Sequence, residues 1–353
     1  NLNNLAFDLQ FKSNELPLTY AKTLGLLSKE KIAWLSYLFG NKINIEGEGH
    51  LNQLSGQLKS EITGEKGKAK LDGIIDNGIF TLASPFTLSS TLSSEIESKK
   101  RVFFLDQAIK AEQPLQLIIE PEGFYCQLIP FKLEKLTVKK GSISTNRIHF
   151  LNQGELKNLF GYIAPIKESS FSIWFTPIYF HIDKQIFFLN RFDLLIANLY
   201  PLACWGKISL NGENMDLNLG LTASLLDQTF KITGLDPDYI LQIPITRSKK
   251  GELQIDRAKV AKKMTTLLSK VAVIGKENWL GNLIKLAVEE PETIKAPPPT
   301  TFPFPWQTSK EENLSVQKSK EEKKEPGKIL KKLNIGKKVF KKKKKEKAEN
   351  KSD

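Results

Sequence analysis

The chain has 353 residues, of which 40% are apolar, 9% aromatic and 26% charged, enough for one large domain or two smaller ones with a real core. No apolar run approaches the ~18 residues of a transmembrane helix, which excludes a polytopic helical membrane protein. The net charge of +13 is concentrated at one end: residues 310–353 hold 17 Lys against 8 acidic residues, and the rest carries only +4.

Read in order, the dominant signal is alternation of period two, the mark of half-buried strands. Leu5, Phe7, Leu9 and Phe11 alternate with polar neighbours. Residues 15–40 break the pattern, with Leu24, Leu27, Trp34, Leu35 and Leu38 in helical spacing and Ser28 as a candidate cap, so a helical insertion is expected there. Alternation returns from Ile43. Asn77-Gly78 suits a two-residue type I′ turn, because both positions tolerate positive φ. That turn predicts the pairs Ile75–Phe80, Gly73–Leu82 and Ala69–Phe86, all on one face.

Shorter strand-like pieces follow at Leu115/Leu117/Ile119, Phe124/Cys126/Leu128 and Leu136/Val138. Within 171–197 both parities are apolar, as in strands covered on two sides. One-sided alternation resumes with Ile208 and Leu210, a turn over 211–214, then Met215, Leu217, Leu219 and Leu221. A short helix is expected over 223–230 and a late strand through Tyr239, Leu241, Ile243 and Ile245.

Asp256 can cap a helix with Val260, Met264, Leu267, Val271 and Ile274 on one stripe, and Leu280, Leu283, Ile284 and Ala287 make a second. Pro297 to Trp306 contains five prolines and cannot pair inside a sheet, so it should run as an extended strap on its aromatic contacts. The Lys/Glu-rich end has too few apolar residues to offset its ordering entropy and is expected to be disordered. The expected divisions are a β body over 1–255 and an amphipathic helical segment over 256–290. A Pro-rich strap over 291–309 and the basic tail over 310–353 follow. The fold class is mainly β: an elongated, curved, groove-like antiparallel sheet with short helical insertions.

Catalytic chemistry is sparse. No phosphate loop, dinucleotide fingerprint, zinc-protease motif or nucleophile elbow occurs, and no cofactor is expected. Cys126 and Cys204 can form one bridge or remain two buried thiols. His181 and Asp183 share a strand face, but no third ligand is identifiable, so His181 reads as a surface histidine near a hairpin tip. Asp236-Pro237-Asp238 reads as a turn. The Tyr and Trp residues of 171–206 read as core rather than stacking platforms. A non-enzymatic protein is expected. Only 5 of the 52 basic residues are Arg, which argues against nucleic-acid readout. The cluster Lys337, Lys338, Lys341, Lys342, Lys343, Lys344, Lys345 is open to three readings: anionic lipid surface, nucleic acid, or a solvated end.

From about residue 165 the order of features resembles the C-terminal region of AsmA/TamB-like bacterial envelope proteins. The carrying stretches are Trp-Phe-Thr-Pro-Ile-Tyr-Phe (174–180), Asn-Arg-Phe-Asp-Leu-Leu-Ile-Ala (190–197) and Trp-Gly-Lys-Ile-Ser-Leu (205–210). Met-Asp-Leu-Asn-Leu-Gly-Leu-Thr-Ala (215–223), Asp-Tyr-Ile-Leu-Gln-Ile-Pro-Ile (238–245) and the Phe-Pro-Phe-Pro-Trp segment continue it. After Ile245 the chain departs from that pattern with Thr246-Arg-Ser-Lys-Lys-Gly251.

The resemblance implies a β-groove that moves phospholipid between inner and outer membranes and supports outer-membrane assembly. It implies a periplasmic location, with an inner-membrane anchor in a segment preceding Asn1. The groove would be lined by Ile208, Leu210, Met215, Leu217, Leu219 and Leu221. Acyl lipid, the membrane surface and other envelope proteins are the expected partners, and nucleic acid is not. The alternative is a structural scaffold with a filled β core and a partner-binding Pro/Lys tail.

Overall fold

A computed structural model describes residues 6–23, 29–92, 108–128, 131–153, 166–211, 214–247, 253–255, 260–267 and 295–308, with Lys157, Phe160 and Ile163 besides. The fold is mainly β, with eighteen strands among the described residues in one antiparallel sheet. The strands are β1 (Ala6–Pro17), β2 (Lys42–Asn52), β3 (Ser55–Gly64), β4 (Gly67–Asp76), β5 (Ile79–Leu82) and β6 (Phe86–Ser90). Next come β7 (Ala108–Ala111), β8 (Leu115–Ile119), β9 (Tyr125–Leu128), β10 (Phe131–Ser144), β11 (Arg147–Leu151) and β12 (Ser170–Phe175). The last are β13 (Ile178–Asp183), β14 (Ile186–Ile196), β15 (Tyr200–Ser209), β16 (Met215–Thr222), β17 (Ile240–Arg247) and β18 (Leu253–Ile255).

Several neighbours are pieces of one interrupted strand. β12 and β13 both pair with β14 in a single register, from Ile173–Ile196 through to Asp183–Ile186. β5 with β6, β7 with β8 and β9, and β10 with β11 are likewise pieces of one strand, but with register shifts between the pieces. Counted this way, each strand hydrogen-bonds to the one before and the one after it. The sheet is an up-and-down meander, which period-two alternation with short turns favours.

At Asn77-Gly78 both residues have positive φ (49° and 77°), as a type I′ turn requires. Ile75 faces Phe80 and Gly73 faces Leu82, as expected. The third pair needs correction: Ala69 faces Leu88, not Phe86. The chain is interrupted at 83–85, around Pro85, and the register slips by two residues. A two-residue slip keeps every side chain on its face, so the apolar pattern is preserved.

The helices lie where the alternation breaks. β1 runs to Pro17, three residues into the expected insertion, which holds α1 (Leu18–Thr23) and α2 (Lys29–Phe39). Leu18 and Phe39 close a small core with Ile43, Ala69 and Leu88. α3 (Ala223–Phe230) starts where Thr222 Oγ1 accepts the Leu225 N–H and ends at Lys231 in the left-handed region. Leu225 and Leu226, both fully buried, seat it on the sheet. A helical stretch, α4, covers 260–267, with Val260, Met264 and Leu267 against the same core. The last is a single turn, α5 (Pro305–Thr308). Ser28, Asp256, Val271, Ile274, the 280–287 stripe and the lysines 337–345 lie outside the described residues. In their described parts the helical segment and the strap are layers on the β body.

Candidate functional site

Little chemistry is assembled. Among the described residues no cluster of His, Cys, Asp or Glu is suited to hold a metal ion. His181 stacks on Phe188 across the β13–β14 hairpin, with centroids 4.5 Å apart and planes 6° from parallel. Asp183 is exposed at that hairpin's tip. Asp236 caps its own turn, accepting the Asp238 N–H at 2.9 Å. His149 and Arg147 share Glu112 at 3.1 and 3.2 Å, and Arg147 lies 5.0 Å over the Trp174 ring. Both thiols are free, with Cys204 buried as expected and Cys126 only half-buried. Burial pushes Cys204 up to about 12, while Cys126 is half-buried and raised for the same reason.

One face of the sheet is a set of continuous apolar rows. Register aligns Phe86, Ile119, Gly141, Phe180, Leu189, Gly206, Leu217 and Ile245 across the meander. A second row runs Ile45, Ile62, Ala69, Leu88, Leu117, Ile143 and Ile178. Gly141 is needed in the first row: a Cβ there would lie 2.2 Å from the Phe180 ring, which occupies its place. This face is hereafter the inner face.

The expected groove residues lie on it, and here the expectation needs correction. Ile208, Met215, Leu217, Leu219 and Leu221 are at most 6% exposed. They belong to the main core, under Leu225 and Leu226 of α3, Ile232 and Leu267 of α4. In this conformation they line a filled core, not an open channel. Leu210 is half-buried and packs in a different cluster, beside Phe180 and Ile182.

Nearer the N-terminus the rows are only partly buried, with Ile75, Phe80 and Leu82 inside small cores of their own. Leu51, Leu58, Leu71, Phe86, Ile119 and Phe124 are all only half-buried. α1 and α2 cover the end of the face near Ile43 and Ala69, and their cluster reaches this strip only at Phe86. The opposite, outer face of β2–β4 is polar and carries exposed pairs such as Lys12–Glu46, Lys59–Glu48 and Lys70–Glu61. A cleft of about 360 Å³ beside β1 and β2 is lined by Glu15, Asn41, Lys42, Asn44, Gly64 and Glu65. Its lining side chains are charged or amide groups with Gly64, and none is a large apolar residue.

Around β12–β15 the outer face is also buried, which explains the two-sided apolar run. The strap 295–308 lies over it. Trp306 is 6% exposed and packs on Trp174 and Leu195, with Phe304 stacked on it at 4.8 Å. Phe302, expected to share in this contact, is instead 76% exposed. Beneath the strap sits a buried ion pair: Arg191 Nε and Nη2 donate to Asp193 Oδ1 at 3.2 and 2.7 Å. Sequence reasoning missed this site. The available signal was a pair of charged residues, two apart, inside an otherwise apolar run.

No helix among the described residues is long and apolar enough to cross a membrane. Comparisons with protein-family models, curated proteins and solved structures return no match.

Proposed function

We propose that the chain is a non-enzymatic, lipid-handling protein that holds acyl chains along the half-buried inner strip of β2–β9. One observation carries the reading. Leu51, Leu71, Phe86, Ile119 and Phe124 stay half-buried around Ile75, Phe80 and Leu82 on one face, and Leu58 is half-buried on the same side of β3. Contiguous exposed apolar patches mark interaction sites, and a strip one side chain deep suits a flexible alkyl chain. The resemblance to AsmA/TamB-like proteins supports the same reading. It would place the protein in a bacterial envelope, moving phospholipid between inner and outer membranes. The lysines 337–345 would then hold an anionic membrane surface at roughly 1 kcal/mol each.

The filled half of the sheet favours a second reading, a scaffold that binds no lipid. Native mass spectrometry of the purified chain separates them. Phospholipid should co-purify with the wild type and be lost from folded Leu58→Asp and Leu71→Asp variants. A lipid-free wild type, or variants that retain lipid, would leave the scaffold.

A further inference from the structure

The outer face of β12–β15 has the parts of a peptide receptor, and these do not depend on the lipid reading. Its central charges are held by the sheet's own residues as well as by the strap. Arg191 and Asp193 side chains are 8% and 4% exposed and paired through Oδ1. The Asp193 N–H donates to Thr176 Oγ1 at 2.9 Å, and the Thr176 N–H donates back to the Asp193 carbonyl at 3.0 Å. Trp174 is held by donating from Nε1 to Asn198 Oδ1 at 2.9 Å. Salt-bridged in this way, Arg191 still has Nη1 directed outward.

Residues 295–308 supply what such a surface recognises. Pro297, Pro298, Pro299, Pro303 and Pro305 have no N–H and favour extended geometry, so little ordering entropy is lost on docking. The Pro297 carbonyl accepts from Arg191 Nη1 at 2.8 Å, and Thr300 Oγ1 donates to the Arg191 carbonyl at 3.0 Å. Trp306 fills the apolar end. Two hydrogen bonds to Arg191 and the Trp306 indole are among the contacts that hold the strap. Tethered in the same chain, it needs only weak intrinsic affinity, because effective concentrations of short tethers reach the millimolar range. The fit is also incomplete. Asp193 Oδ2 is buried without a hydrogen-bond partner, and the prolines above have no N–H to offer it.

We infer that the outer face of β12–β15 is a binding site for a proline-rich segment ending in an aromatic anchor, and that 295–308 is its exchangeable resident ligand. The same surface is then open to such a segment from another chain whenever the strap is displaced. The strap is an internal competitor, not a permanent layer of the fold.

The test uses the full chain carrying Trp306→Ala and a fluorescein-labelled peptide with the sequence of 295–308. Anisotropy should show saturable one-to-one binding to the folded variant. Binding to the wild type should be at least tenfold weaker, because its own strap competes. A peptide with alanine at its tryptophan should bind the variant at least tenfold more weakly than the native peptide. A folded variant that does not bind the peptide, or binds both peptides alike, would overturn the inference. So would loss of the cooperative fold on Trp306→Ala, since the strap would then be an integral layer.

Discussion

The strands β2–β9 and β11–β17 present the same apolar rows to the same side, yet one region is half open and the other sealed. Leu58 lies half-exposed on its row, whereas Leu219, with a similar alternating neighbourhood, is 2% exposed beneath helical cover. The second region is closed on its outer face as well, by Trp306 over Trp174 and Leu195. Alternation therefore specifies which way a side chain points, and the connecting segments decide what it meets. Covering layers make the C-terminal region a core. Lighter cover leaves the N-terminal region two small cores and half-exposed positions such as Leu58 between them.

The largest expected effect breaks this contrast if it fails. Leu219→Asp places an unpaired carboxylate in a dry core and should cost more than about 4 kcal/mol, enough to unfold many domains. Leu58→Asp should cost under about 1.5 kcal/mol, because water reaches the half-exposed position. Urea denaturation followed by circular dichroism reads both. Similar losses at the two sites would mean that the strip is as closed as the core.

The cysteines sharpen the same comparison without a stability change. Cys204 faces Leu219 in the sealed core, and with its thiol pushed up to about 12 it is protonated and inaccessible at pH 8. It should react with a disulfide reagent only as fast as the protein unfolds. Cys126 faces Phe80 at the edge of the strip and should react with the folded protein within minutes, more slowly than a free thiol. A saturating fatty acid should slow Cys126 and leave Cys204 unchanged. Equal labelling rates at the two thiols would contradict the structure of one region or the other.

Much of this was legible in the residues. The Asn77-Gly78 hairpin, the helix at 223–230 and the strand at 240–247 follow from local turn chemistry and periodicity. The turn at Lys184-Gln185, with φ of 47° and 64°, carries no Gly or Asn, so the hairpin tip near His181 was legible from the flanking strands and not from turn chemistry. Covering was illegible for a physical reason: half-open and sealed strands alternate identically. The Arg191–Pro297 contact joins residues 106 positions apart, and no local pattern encodes such a meeting.

A smaller effect concerns glycine. Gly141→Ala must displace the Phe180 ring, 2.2 Å from the new Cβ, and should cost about 1–3 kcal/mol by overpacking. At Gly49 the nearest atom to a new Cβ is Leu58 Cδ1 at 3.5 Å, an ordinary contact in the open region. Gly49→Ala should change stability by less than about 0.5 kcal/mol or raise it slightly, since alanine restricts the unfolded chain. Thermal melts compare the pair directly.

The smallest expected effect is a difference in the sign of pH dependence between the two outer faces. Burial raises the Asp193 carboxyl above its ordinary range, and the paired Arg191 offsets only part of that. A raised carboxyl holds its proton better folded than unfolded. Its contribution to stability is therefore greatest below the ordinary carboxylate pKa and is lost as pH rises through the folded value. Glu61 behaves oppositely: hydrogen bonding to Lys68 lowers its pKa, with Lys70 adding to the shift. Its contribution is present above the ordinary pKa and is lost as pH falls through the folded value. Asp193→Asn should thus remove a decline in stability with rising pH, whatever it does to the overall level by leaving Arg191 unpaired. Glu61→Gln should remove a rise that exposure and salt already keep small. Urea midpoints between pH 3 and 7 compare the slopes. If the two substitutions change the slope in the same direction, the outer faces do not differ in solvent access as the strap over β12–β15 requires.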